Sequence, residues 1–195
     1  MPSTATLVHA PLSPIERRAL RAVVAAAAGF AVYGMATGAP STLAYLFTVA
    51  ALGALVLGLR RRPLPAPLVI GMAVLAVAHL AGGLVRVGDG VLYNATFGSP
   101  ILRYDHLFHT AAVFVGTLVL WTVLVRRAVP GGGAGLVVLC VLAGLGLGAL
   151  NEMVEFLSTL AHSGSHVGGY ANTGWDLVCN TGGGLAAGAF LRRSR

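Results

Sequence analysis

The chain has 195 residues, of which 56% are hydrophobic and only 10% charged, with a mean hydropathy of +0.83. Soluble domains carry about 25% charged residues, so a water-facing globule is excluded. The net charge of +7 comes from 13 basic residues, all arginine. They cluster between apolar runs, as the positive-inside rule requires, and nucleic acid is not expected as a partner.

A membrane-crossing helix needs about 20 mostly apolar residues. Six such stretches follow one another, at 19–37, 41–59, 66–85, 105–126, 134–160 and 173–191. Gly38-Ala39-Pro40, Arg62-Pro63-Leu64-Pro65 and Pro130 with its three following glycines separate most of them. The reading is an all-α, polytopic bundle of six transmembrane helices in a single integral membrane domain, 1–195. The first stretch is read as a retained helix rather than a signal peptide, because about 20 residues precede its apolar part and Pro40 would follow the cut. Eleven arginines fall on one side of these helices, and only Arg86 and Arg103 on the other. That asymmetry predicts cytoplasmic termini.

Five of the six acidic residues, Asp89, Asp105, Glu152, Glu155 and Asp176, then fall outside or in the outer part of the bilayer. At 1.5 Å per residue, His109 lies roughly 6 Å inside the outer end of its helix, and Glu155 and Glu152 roughly 7 and 12 Å inside theirs. Asn180 and His79 are expected at similar depth, with Asp105 and Asp176 near the rim. Steps of three or four keep residues on one helix face. Read inward, the fourth helix gives Asp105, His109, Ala112 and Gly116. The fifth gives Glu155, Glu152, Gly148 and Gly144, and the sixth Asp176, Asn180, Gly183 and Ala187. Each face is polar outside and small below, and small faces let helices close tightly in lipid. The third helix fits in part, with Gly82, His79 and Ala76 followed by the bulkier Met72.

Several carboxylates together in lipid repel one another, and no lysine or arginine lies deep enough to balance them. Carboxylates with imidazole at i, i+4 spacing suit a divalent ion, Zn²⁺, Mn²⁺ or Mg²⁺. Asp105, His109, Glu152 and Asp176 are the expected ligands. Glu155 and His106 are the acid–base candidates, and Asn180, His79, Tyr104 and Asn151 the pocket support. A hydrogen-bonded network that only fixes packing remains the competing reading.

Tyr104-Asp105-His106-x-x-His109, then Asn151-Glu152-x-x-Glu155-Phe156, then Asn172-Thr173-x-x-Asp176-x-x-x-Asn180-x-x-Gly183 carry a resemblance. Over about residues 90–190 the chain resembles the VanZ-like and YjdF-type bacterial inner-membrane proteins. Asp105, His109, Glu152, Asp176, Asn180 and Gly183 match the VanZ-like pattern; Glu155 stands where those proteins usually have glutamine. The resemblance implies a small multi-pass protein of the bacterial inner membrane, with a polar site on its extracytoplasmic side and a link to the cell envelope.

Other features carry less. His162 and His166 form a weak metal-ligand pair in a Gly/Ser-rich loop. Cys140 and Cys179 are expected at opposite sides, too far apart for a disulfide. Gly144-x-Gly146-x-Gly148 follows no strand and is no dinucleotide fingerprint. Two functions stand side by side. One is a metal-dependent enzyme acting on a lipid or lipid-linked envelope substrate. The other is a non-enzymatic binding or assembly protein of the envelope. A transporter ranks third, because the apolar inner halves show no path.

Overall fold

The computed structural model describes residues 10–99, 102–128, 133–161 and 169–194. Pro130, His162 and His166 lie outside the described residues. Among the described residues there are six long helices: α1 (Pro14–Thr37), α2 (Thr42–Leu59), α3 (Ala66–Leu84), α4 (Tyr104–Ala128), α5 (Ala134–Ala161) and α6 (Tyr170–Arg193). A small antiparallel hairpin, β1 (Arg86–Val87) and β2 (Gly90–Val91), and a 3₁₀ turn at Leu92–Asn94 join α3 to α4. Gly88 turns the hairpin at φ 58°, a left-handed angle that glycine adopts without steric cost.

α1 starts five residues earlier than the hydropathy suggests, and the cause is local. Ser13 and Glu16 form a capping box, in which the Ser13 amide donates to Glu16 Oε2 at 2.7 Å. Glu16 Oε1 also accepts from the Leu64 amide at 3.1 Å and lies 3.5 Å from Arg60 Nη1. Arg60 Nη2 donates to the Ala10 carbonyl at 3.0 Å. The charged start of α1 is thus fastened to the turn between α2 and α3. Beside it, Leu64, Val69, Val119 and Val123 form a buried apolar cluster with Ile15, Ala19 and Val56. These contacts bring the start of α1, the α2–α3 turn and the end of α4 to one end of the bundle.

α4 is the central helix, packed on α3, α5 and α6, while α1 and α2 lean on α3. α1 to α5 are long and apolar enough to cross a membrane. Their outward faces carry exposed Leu43, Phe47, Val74, Leu139 and Val154, the surface expected against lipid tails. α6 is less apolar because its inward face holds Asp176, Asn180, Gly183 and Gly184, all buried against its neighbours. The protein is therefore a helical bundle of the polytopic membrane type.

Close packing of α4, α5 and α6 rests on small residues, but not on all those expected. A Cβ at Gly183 would collide with the Thr110 carbonyl, one at Gly144 with the Thr117 hydroxyl, and one at Gly148 with Asn180 Nδ2 at 2.7 Å. Gly116 has open space beside it. The buried row of α4 runs Asp105, His109, Val113, Thr117, in steps of four, and turns Ala112 and Gly116 aside. The other two helices supply the small surfaces, and α4 fills them with Val113 and Thr117. Cys140 and Cys179 are separate thiols.

Candidate functional site

The first turns of α4 and α6 and the last turns of α5 meet at the end opposite the Glu16–Arg60 contact. Asp105 and His109 are one turn apart on α4, so both face α6. α6 begins three residues before the expected start, which puts Asp176 about 9 Å inside the helix rather than at its rim. Asp176 is 0% exposed and Asn180 2%. His109, Glu152 and His106 are buried as well.

His109 is the hub. Its Nε2 lies 3.3 Å from Asp105 Oδ1 and 4.0 Å from Asp176 Oδ1. Its Nδ1 lies 3.2 Å from Asn180 Oδ1 and 3.5 Å from Glu152 Oε1. Asn172 ties the two aspartates from behind, donating its amide hydrogens to Asp105 Oδ2 at 3.2 Å and Asp176 Oδ2 at 2.6 Å. Arg103 holds Asn172 in turn through its Oδ1 at 3.1 Å. The two Oδ2 atoms are thereby occupied, and the two Oδ1 atoms are left facing the imidazole.

Ionised carboxylates and amide oxygens only accept hydrogen bonds. Both nitrogens of His109 therefore face acceptors. Asp176 Oδ1 and both oxygens of Glu152 are buried and accept no hydrogen bond from the described residues. Buried acceptors of this kind call for a proton, on the imidazole or on the carboxyl itself, or for a cation. Among the described residues two groups have cation-holding geometry, with one ligand atom from each residue lying within 4.8 Å of the others. They are Asp105, His109 and Asp176, and His109, Glu152 and Glu155. One imidazole nitrogen and carboxylate oxygens form a donor set that fits Zn²⁺ or Mn²⁺.

The structure thus brings Asp105, His109, Glu152 and Asp176 together, but in two groups that share His109, with Glu152 on the opposite ring nitrogen from the aspartates. The other expected residues fall around them. His106 Nε2 is 3.9 Å from Asp176 Oδ1, and its ring lies 6.2 Å from that of Trp175. Asn151 donates to Glu155 Oε1 at 2.7 Å. Tyr104 donates its hydroxyl to the Ala78 carbonyl at 3.0 Å and so anchors α4 to α3. His79 stands behind the cluster, where Phe108 touches both it and His109. His79 Nδ1 pairs with the Tyr93 hydroxyl at 2.6 Å. Burial pushes the Tyr93 phenol well above its usual range, so it keeps its proton.

Three participants are not evident from composition or hydropathy. Asn172 sits four residues before Asp176, a spacing that signals a shared face, but its bridge to Asp105 depends on how α4 and α6 cross. Tyr93 reads as an interfacial aromatic, yet it is buried against Gly82, where a Cβ would clash with its ring. Tyr45, in α2, fills the same role against Gly83 and packs edge-on to His79 with ring centroids 4.9 Å apart.

Five spans by length and composition, six helices in one bundle and a buried His/Asp/Glu cluster at one end define a multi-pass membrane protein with a polar site among its helix ends. Residues 17–195 match the family described as predicted membrane protein (DUF2238), and the chain belongs to that family. No curated protein and no solved structure matches it.

Proposed function

We propose that the protein is a membrane-embedded, metal-dependent enzyme. Its cation is held by His109 Nε2, Asp105 and Asp176. The observation that carries this reading is the pair of aspartate Oδ1 atoms turned toward one imidazole nitrogen while Asn172 occupies their Oδ2 atoms. Asn180 Oδ1 accepts the proton of Nδ1, which leaves the lone pair of Nε2 for the metal. The bound cation would activate a water as nucleophile, and His106, beside Asp176, is placed to move its proton.

The arginine clusters support cytoplasmic chain termini with the site at the outer side, and the resemblance to VanZ-like and YjdF-type proteins supports a bacterial inner membrane. A site buried among helix ends and bordered by lipid suits a lipid or lipid-linked substrate. The resemblance to VanZ-like and YjdF-type proteins supports an envelope substrate. The Asn172 bridge also favours a second reading, a non-enzymatic binding or assembly protein whose cluster is a packing network with imidazolium as counterion.

Metal analysis separates the two. Protein purified without chelator is expected to retain a divalent ion. Asp176→Asn and His109→Ala are expected to lose it while still eluting as folded monodisperse species. Wild-type protein free of metal after dialysis against Zn²⁺, Mn²⁺ and Mg²⁺ overturns the metal reading and leaves the network.

A further inference from the structure

The first cation leaves a set of buried groups unused. Glu152 and Glu155 lie one turn apart on α5, and Glu152 stands on the Nδ1 side of His109. Among the described residues their carboxylate oxygens and one nitrogen of His109 lie within 4.8 Å of one another, and since Nδ1 donates to Asn180 the two carboxylates are the donors left for an ion. Glu152 is 5% exposed, and among the described residues neither of its oxygens accepts a hydrogen bond. Asn151 holds one Glu155 oxygen at 2.7 Å, which orients that carboxylate much as Asn172 orients the aspartates. One dication balances two of the four carboxylates in the cluster. Two further carboxylates in a low-dielectric setting are relieved by protons of their own or by a second cation.

We propose that the site holds two divalent cations on opposite sides of the His109 ring: one with Asp105 and Asp176, the other with Glu152 and Glu155. This rests on the metal reading above and extends it. The second position is rich in oxygen donors, which favours Mn²⁺ or Mg²⁺ over softer ions. Glu155 is then a ligand rather than an acid–base group. Mn²⁺ or Mg²⁺ held by only one or two carboxylates commonly completes its coordination with phosphate oxygens. The substrate class that matches is a lipid carrying a phosphate or diphosphate group.

The test uses the full chain in lipid nanodiscs, loaded with Mn²⁺ by equilibrium dialysis and read by metal content and electron paramagnetic resonance. Two Mn²⁺ per chain are expected, with spectra broadened by coupling between the ions. Glu152→Gln and Glu155→Gln are each expected to reduce the content to one ion and restore a resolved six-line spectrum. One ion per wild-type chain, unchanged by either substitution, overturns the second position and leaves the first standing. Loss of all ions in Glu152→Gln, with unchanged thermal unfolding, also overturns it, since it means a single centre that includes Glu152. Two uncoupled ions overturn it by placing the second elsewhere. No bound ion in the wild-type protein overturns both readings together.

Discussion

At the scale of single residues, the site is built from pairs in which one partner orients the other. Asn172 takes one oxygen from each aspartate and so decides where the remaining oxygens point. Asn172→Ala is expected to weaken cation retention several-fold without removing a ligand, measured as the free metal concentration at half-occupancy. Tyr93 does the same for His79. Its substitution by phenylalanine leaves a buried imidazole nitrogen without its hydrogen-bond partner, which costs about 1–3 kcal/mol. Thermal unfolding of Tyr93→Phe in detergent is expected to shift down accordingly, with metal content unchanged because His79 lies behind Phe108 and outside both ligand groups.

At the scale of elements, α4 and α6 meet backbone to side chain at Thr110 and Gly183. Thr110 Oγ1 donates to the Cys179 carbonyl at 3.3 Å, and any Cβ at Gly183 would press on the Thr110 carbonyl. Gly183→Leu is therefore expected to lower folded yield sharply, whereas Gly116→Leu, with open space at its position, is expected to leave it nearly unchanged. Equal losses in fluorescence-detected gel filtration would mean that the buried row of α4 is wrongly placed. At the opposite end, Ser13→Ala removes half of the capping box and is expected to cost about 1 kcal/mol. Glu16→Ala is expected to cost more, because it also removes the carboxylate 3.5 Å from the buried Arg60 side chain.

At the scale of the whole molecule, the two ends differ in kind. One gathers arginines around the Glu16–Arg60 contact; the other gathers carboxylates and histidines. The arginine end is expected to face the cytoplasm. An alkaline phosphatase fused after Arg195 is expected to be inactive, and a fluorescent protein fused there to fluoresce. An active phosphatase fusion would reverse the orientation and put the site on the cytoplasmic side.

Sequence alone determined the number and order of the helices, because a long apolar run can satisfy its backbone in lipid only as a helix. Spacing alone also showed that Asp105 with His109, Glu152 with Glu155, and Asp176 with Asn180 share faces, since the α-helical repeat is local and fixed. The meeting of those faces was decided by tertiary structure. The start of α6 moved three residues and buried Asp176, because Asn172 found partners on another helix. The α4 row ran through Val113 and Thr117 rather than Ala112 and Gly116, because glycines on α5 supplied the room. His79 went to Tyr93 instead of the carboxylates. The split of the cluster across the two nitrogens of His109 is likewise invisible in spacing: it depends on which way one ring turns between three helices, and helix crossing sets that, not helix periodicity.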